Sequence, residues 1–351
     1  MSIKRKEPIP WRKVMIAGLL LCIAVPIYSA QTTLGFASET GKKKILYVNS
    51  YDLDFNWSLR SLRGALAVLN VQMDAHHKLD DSASPIAFKI LNMKTKKNRS
   101  IEYIKQAALE AKALIETWQP DVVICADDNA SKYLIVPYFN DTDIPFVFCG
   151  VNWDASEYGF PRKNVTGMIE VFPVQEALNI IRPFAKGSRV GFLSSDTLSE
   201  HKNAEHIRKA FNLDLVERYA KSLDDFEQAY KEIQKVTDIL FIIEVASMIG
   251  FDNDRFKDIT NRYISIPTIS FSHVHFDKYL LTCKRVPEEQ GEWAAKAALE
   301  ILDGKLPEDI PVAMNKKAAI RLNMKLAKKL GIKFPMELIE RSSFVSEDQK
   351  D

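Results

Sequence analysis

The chain has 351 residues, 46% of them hydrophobic and 27% charged, with a formal net charge of +2 at neutral pH. That composition excludes a disordered polymer and gives apolar mass for two cores. The near-neutral balance argues against a nucleic-acid partner; the one dense cationic run, KTKKNR from Lys94, reads as a solvated turn.

The first stretch has the pattern of an export signal. Lys4, Arg5, Lys6, Arg12 and Lys13 precede an uncharged apolar segment over 14–30, and Gly35, Phe36 and Ala37 supply a small-residue cleavage site. Residues 1–37 are therefore expected to be removed, which takes away five basic residues and one acidic residue and leaves a net charge of −2. The apolar length is short of the ~20 residues a spanning helix needs, and Pro26 interrupts it, so an uncleaved anchor is the second reading. Cys22 follows Leu21 where a lipid-attachment signal wants a small residue, so a lipoprotein is the weakest reading.

After that comes a recurring unit: a short Val/Ile/Leu/Phe run, an abrupt polar or acidic stop, then a helical stretch. The runs are KILYVNSYD from Lys44, DVVICADDN from Asp121, PFVFCGVNW from Pro145, RVGFLSSDT from Arg189, ILFIIEVAS from Ile239 and PTISFSHVH from Pro267. Continuous apolar runs of about five residues predict strands buried on both faces, hence parallel sheets flanked by helices in an α/β fold. In chain order, a helix is expected over 57–69, a strand over 86–91, and a helix from Ile101 capped by Ser100 and stopped by Pro120. A short helix from Asn129 then precedes the strand from Pro145. Residues 153–164 interrupt the pattern with Pro, Gly, Ser and charge, and the alternation restarts with a strand over 165–171. Two half-chains joined by a hinge follow.

Polar residues at the carboxyl ends of parallel strands line the ligand crevice of such folds. The candidates are Ser50, Tyr51 and Trp57; Asp127, Asp128 and Asn129; Asn152 and Trp153; Ser194, Ser195 and Asp196; Glu244 and Ser247; Ser270 and Ser272. Hydroxyls, amides and helix N-termini suit a carboxylate, Asp128 or Glu244 an ammonium group, and Tyr51, Trp57 and Trp153 a ring or aliphatic tail. An amino acid or similar zwitterion satisfies all three sets; purines, sugars and small carboxylates stay open. For each Ser, Asp or Asn the alternative is a helix cap, and for Trp57 it is plain core. Glu244 closes an apolar run, where an unpaired carboxylate would be costly.

Catalysis is not expected. The sequence has no GxSxG, Walker, GxGxxG or HExxH motif, and the adjacent Asp127 and Asp128 would point apart in a turn. His273 and His275 form an HxH pair without an evident third ligand, so neither a metal nor another cofactor is expected. Cys125, Cys149 and Cys283 read as buried thiols, with one disulfide as the alternative.

Two segments carry a family resemblance: NVTGMIEVFPVQEALNIIRPFAKGSRVGFLSSD from Asn164, and GEWAAKAALEILDGKLPEDIPVAMNKKAAIRLNMKLAKKLGIKFP from Gly291. Together they resemble the extracytoplasmic substrate-binding proteins of ABC transporters that have the type I periplasmic binding protein fold. The opening ILYVNSYDLDFNWSLRSLRG from Ile45 is similar to the version of this domain found in membrane histidine-kinase sensors. The resemblance covers about 43–341. It implies two lobes, three hinge crossings and a small-molecule ligand between the lobes, presented to an ABC permease or, alternatively, a membrane sensor. Relatives that take aromatic amino acids make amino acids the first expectation. The sequence departs from many relatives at DKYLLTCKRVPEEQGEWAA from Asp277, where they are rich in Gly and Ala. The expected division is 38–153 with about 284–310 in lobe one, 154–283 with about 311–341 in lobe two, and a tail over 342–351. A kinase-linked sensor would continue into a membrane helix, whereas this sequence closes on SSFVSEDQKD, so a free-standing monomeric receptor is expected.

Overall fold

The computed structural model describes residues 41–272 and 276–344; the expected export signal and the His273/His275 pair lie outside them. Within that span the apolar runs form strands with no water on either face. Ile45, Leu46, Tyr47 and Val48 are fully buried, as are Val122, Val123, Ile124 and Cys125. Such strands need helices on both sides, and the chain supplies them by alternating the two element types.

The first sheet runs, in spatial order, Ala313–Met314, Val165–Glu170, Phe146–Asn152, Val122–Ala126, Lys43–Asn49 and Ile86–Asn92. Every pairing in it is parallel. The second runs Ser343–Phe344, Ala318–Leu322, Leu281–Arg285, Thr268–Ser270, Ile239–Ile242, Val190–Ser195 and Leu215–Ala220. It is parallel except where Leu281–Arg285 meets Ala318–Leu322. Apolar clusters fill both faces of each sheet, giving a two-lobed α/β fold. None of the helices among the described residues is long and apolar enough to cross a membrane.

Local chemistry explains many of the helix limits. Ser100 accepts the Tyr103 N–H at 3.3 Å to start Ile101–Trp118, which ends at Gln119 in the left-handed conformation before Pro120. Thr197, Ser222 and Asp252 cap three helices of the second lobe in the same way. The helices Asn56–Leu69 and Pro287–Leu302 approach more closely than side chains would allow. A Cβ on Gly291 would lie 1.8 Å from the Ser61 carbonyl oxygen, and one on Gly64 would lie 2.1 Å from that of Glu288.

Two expected assignments are corrected. Val165–Glu170, expected to open the second lobe, pairs with Phe146–Asn152 in the first sheet. The interrupted stretch 153–164 is long enough to return the chain in parallel beside the strand it has just left, and Gly167 lies where a Cβ would be 2.3 Å from the Phe148 ring. Ala313–Met314, expected in the second lobe, pairs with Val165–Glu170 and extends the first sheet. The chain therefore passes between sheets at 171–173, at Val286 and at 315–317.

Polar contacts tie these three crossings together. Asn315 accepts the Val171 N–H at 2.7 Å and donates to the Val171 carbonyl at 3.1 Å. Glu289, just past the second crossing, accepts the N–H groups of Lys316 and Lys317 at 2.8 and 2.7 Å. Glu170 and Arg285, each the last residue of its strand, form an ion pair across the first two crossings. Cys125, Cys149 and Cys283 are buried free thiols.

Candidate functional site

The carboxyl ends of the first-sheet strands converge on a cavity of about 410 Å³ beside the second crossing. Tyr51 follows one strand, Asp127 follows the next, and Asn152 and Glu170 each end one. The first helix contributes Phe55, Asn56, Trp57 and Arg60 from its beginning, Lys96 enters from the loop after Ile86–Asn92, and Arg285 and Pro287 come from the crossing.

Asp127 is buried at one wall of the cavity. It is 6% exposed, and among the described residues no hydrogen bond or ion pair reaches its carboxylate. Burial, reinforced by Glu170 and Asp128, holds its proton affinity well above the ordinary carboxylate range. Its backbone is left-handed, with φ of +67°. A bulge in the facing strand makes room for it. Gly150, at φ +72°, breaks the register between Cys149 and Val151, and a Cβ on it would stand 3.1 Å from Asp127 Oδ1. The Gly150 N–H donates to Gln290 Oε1 at 2.8 Å, which fixes the bulge to the helix Pro287–Leu302. Such a group rests as the neutral acid in the empty cavity and can ionise when a cation is brought beside it.

Opposite chemistry stands near it. The helix Asn56–Leu69 begins at Phe55 with no side-chain cap, so its unsatisfied N–H groups present positive potential to the cavity. The Lys96 ammonium lies 4.7 Å from the Tyr51 ring centre and 4.2 Å from that of Phe55. Tyr51 and Phe55 meet edge to face at 5.4 Å. Arg60 is already committed, forming two bonds to the Glu288 carboxylate at 2.7 and 2.8 Å. Glu170 is pushed up to about 7 by burial, which Arg285 opposes and Asp128 reinforces. The Arg285 guanidinium sits 5.3 Å from the Trp57 ring centre and 5.2 Å from that of Phe172.

Ligands of open parallel sheets sit beyond the carboxyl ends of the strands, where this cavity lies. The family model of ABC transporter substrate-binding proteins matches residues 85–345, most of the chain. The chain belongs to that family. Members bind solutes and are not enzymes. Among solved structures, this substrate-binding protein is similar to the ligand-free, open form of a substrate-binding protein with adhesive properties from Clostridium difficile. The identity is 17% over 87% of this chain and 99% of that one, with a TM-score of 0.62. It is also similar to an ABC-type branched-chain amino acid transporter protein from Rhodopseudomonas palustris, at 11% identity over 73% of this chain and 78% of that one, with a TM-score of 0.50. These likenesses show the type I periplasmic binding protein fold. No curated protein sequence matches the chain.

Of the residues expected at the site, the structure of this substrate-binding protein brings Tyr51, Trp57, Asp127 and Asn152 to the cavity. The others have structural work. Ser50 donates to the Ala126 carbonyl at 2.6 Å and accepts the Ala130 N–H at 2.8 Å. Asp128 accepts from Asn152 at 2.7 Å and from the Tyr158 hydroxyl at 2.9 Å, and Asn129 donates to Thr95 at 2.8 Å. Trp153 donates to Asn203 at 3.1 Å and stacks on His206. In the second lobe, Ser194 bonds Glu200 and the Glu244 backbone, and Ser195 accepts from Ser247 at 2.8 Å. Asp196 pairs with His201 at 2.9 Å, Glu244 accepts the Ala246 N–H at 2.6 Å, and Ser270 accepts the Ser272 N–H at 3.2 Å. None of these second-lobe residues lines the cavity.

Phe55, Asn56, Arg60, Lys96, Glu170, Arg285 and Pro287 line it without having been singled out. Glu170 carried a readable signal, since it closes the apolar run VTGMIE as Glu244 closes its own. Arg285 lies inside the segment DKYLLTCKRVPEEQGEWAA, and Lys96 lies in the cationic run read as a solvated turn.

Proposed function

We propose that this protein is the extracytoplasmic receptor of an ABC import system and that it captures an amino-acid-like zwitterion by closing its lobes. Asp127 carries the reading: a buried carboxylate without a partner takes the ligand ammonium group. The Lys96 ammonium and the uncapped start of the helix Asn56–Leu69 take the carboxylate. Tyr51, Phe55 and Trp57 offer a wall for an aromatic or aliphatic side chain. The cavity volume suits a ligand of that size. Closing the second lobe over it converts occupancy into a shape that a permease reads, and the conformational shift is no larger than the ligand's preference for the closed form. The basic, apolar, small-residue pattern of residues 1–37 supports export as the route to the site of action.

A thermal-shift screen of the purified protein against amino acids, nucleosides, sugars and organic acids tests this. At 100 times its dissociation constant a ligand adds about 2.7 kcal/mol, which is several degrees for a chain of this size. Hits confined to amino acids, and lost in Asp127→Asn while the variant still folds, are the expected result. Hits confined to sugars or to nucleosides, unaffected by that substitution, would overturn it.

A further inference from the structure

The ion pair between Glu170 and Arg285 serves two places at once. Both residues line the ligand cavity, and both end the strands from which the chain leaves one lobe for the other. Arg285 lies between the Trp57 ring of the first lobe and the Phe172 ring. Phe172 is at the first crossing and stacks at 5.1 Å on Phe271, a core residue of the second lobe. The Arg285 Nε–H has no acceptor among the described residues, so Glu170 does not exhaust the guanidinium.

We propose that Glu170 is a proton-operated positioning residue for Arg285: ionised, it occupies the guanidinium and ties the first crossing to the second, and protonated, it frees that charge for an anionic group in the cavity. The groups facing Glu170 make this exchange attainable. Arg285 and Lys96 favour the carboxylate, whereas Asp128 opposes it, and Asp127, Tyr51 and Cys149 hold their protons there because burial raises all three above their ordinary values. Burial opposes the ionised form most strongly and brings the balance near neutrality. The atoms balance simply: one proton passes from solvent to the Glu170 carboxylate, and one hydrogen-bonded contact to Arg285 is given up. The cavity then holds one more anion-seeking charge in mildly acidic surroundings than in mildly alkaline ones. Affinity for anion-bearing ligands rises as pH falls through this range.

The consequence for capture rests on the proposed ligand site, but the switch itself is tested without ligand. In the full chain, carbon-13 and nitrogen-15 NMR follow the Glu170 carboxyl and the Arg285 guanidinium between pH 4 and 9. The expected result is that both signals move together with a midpoint near 7, far from the 4.5 of an ordinary glutamate, and that the Arg285 transition vanishes in Glu170→Gln. A Glu170 midpoint in the ordinary range would overturn the proposal, as would an Arg285 signal that stays flat while Glu170 titrates. If the Gln variant fails to fold, the two wild-type titrations decide alone. Failure of amino acids to bind would leave this result untouched and would count against the ligand reading only.

Discussion

At the scale of single residues, the cavity concentrates features that cost stability. Asp127 combines a left-handed backbone with an unpaired buried carboxylate, and each carries a penalty of about 1 kcal/mol or more. Glu170 adds a pH dependence whose direction follows from its burial. Its folded form holds a proton more tightly than the unfolded chain does, so its contribution to stability is fully present below about pH 4.5 and is lost as pH rises to about 7. The loss is on the order of 3 kcal/mol. Glutamine mimics the protonated form at every pH. Urea denaturation at pH 5 and pH 8 is therefore expected to show wild type losing a few kcal/mol relative to Glu170→Gln between the two conditions. A constant difference between the two proteins would refute it.

At the scale of elements, the cavity depends on two helices whose glycines let their backbones nearly touch. Gly291 faces the Ser61 carbonyl and Gly64 that of Glu288, and the beginnings of both helices reach the cavity through Trp57, Arg60 and Pro287. Gly291→Ala must push the helices apart. We expect a loss of about 1–3 kcal/mol in chemical denaturation together with weakened ligand affinity; an unchanged midpoint would mean that the helices can separate without cost. The sequence pattern revealed the strands and most helix limits, because burial on both faces and capping leave local signatures in runs such as VVICA and in Ser100. It did not reveal that Val165–Glu170 joins the first sheet, because a buried parallel strand reads the same whichever sheet receives it. Strand-end reasoning reached Tyr51, Asp127 and Asn152. At Ser194, Asp196 and Ser270 the structure shows intramolecular partners instead, because a polar residue after a strand serves a backbone turn or a neighbouring side chain as readily as a ligand. Arg285 and Lys96 escaped it because their roles come from a crossing and a loop.

At the scale of the whole molecule, the proposed capture requires the lobes to move while the crossings stay ordered. Small-angle scattering with an amino acid found in the thermal screen is expected to show a smaller radius of gyration than the free protein. Identical profiles would rule out lobe closure as the response. The crossings also govern the kind of motion available. Asn315 grips both backbone groups of Val171, and Glu289 holds Lys316 and Lys317, the two residues that follow Asn315 in the third crossing. Three strands pinned to one another in this way act like the knuckles of a door hung on one pin: swing remains, while twist and sideways slip are resisted. For the proposed receptor, such a hinge reduces the signal of occupancy to one quantity, the angle between its halves, which a partner at the membrane can read without sampling any other distortion.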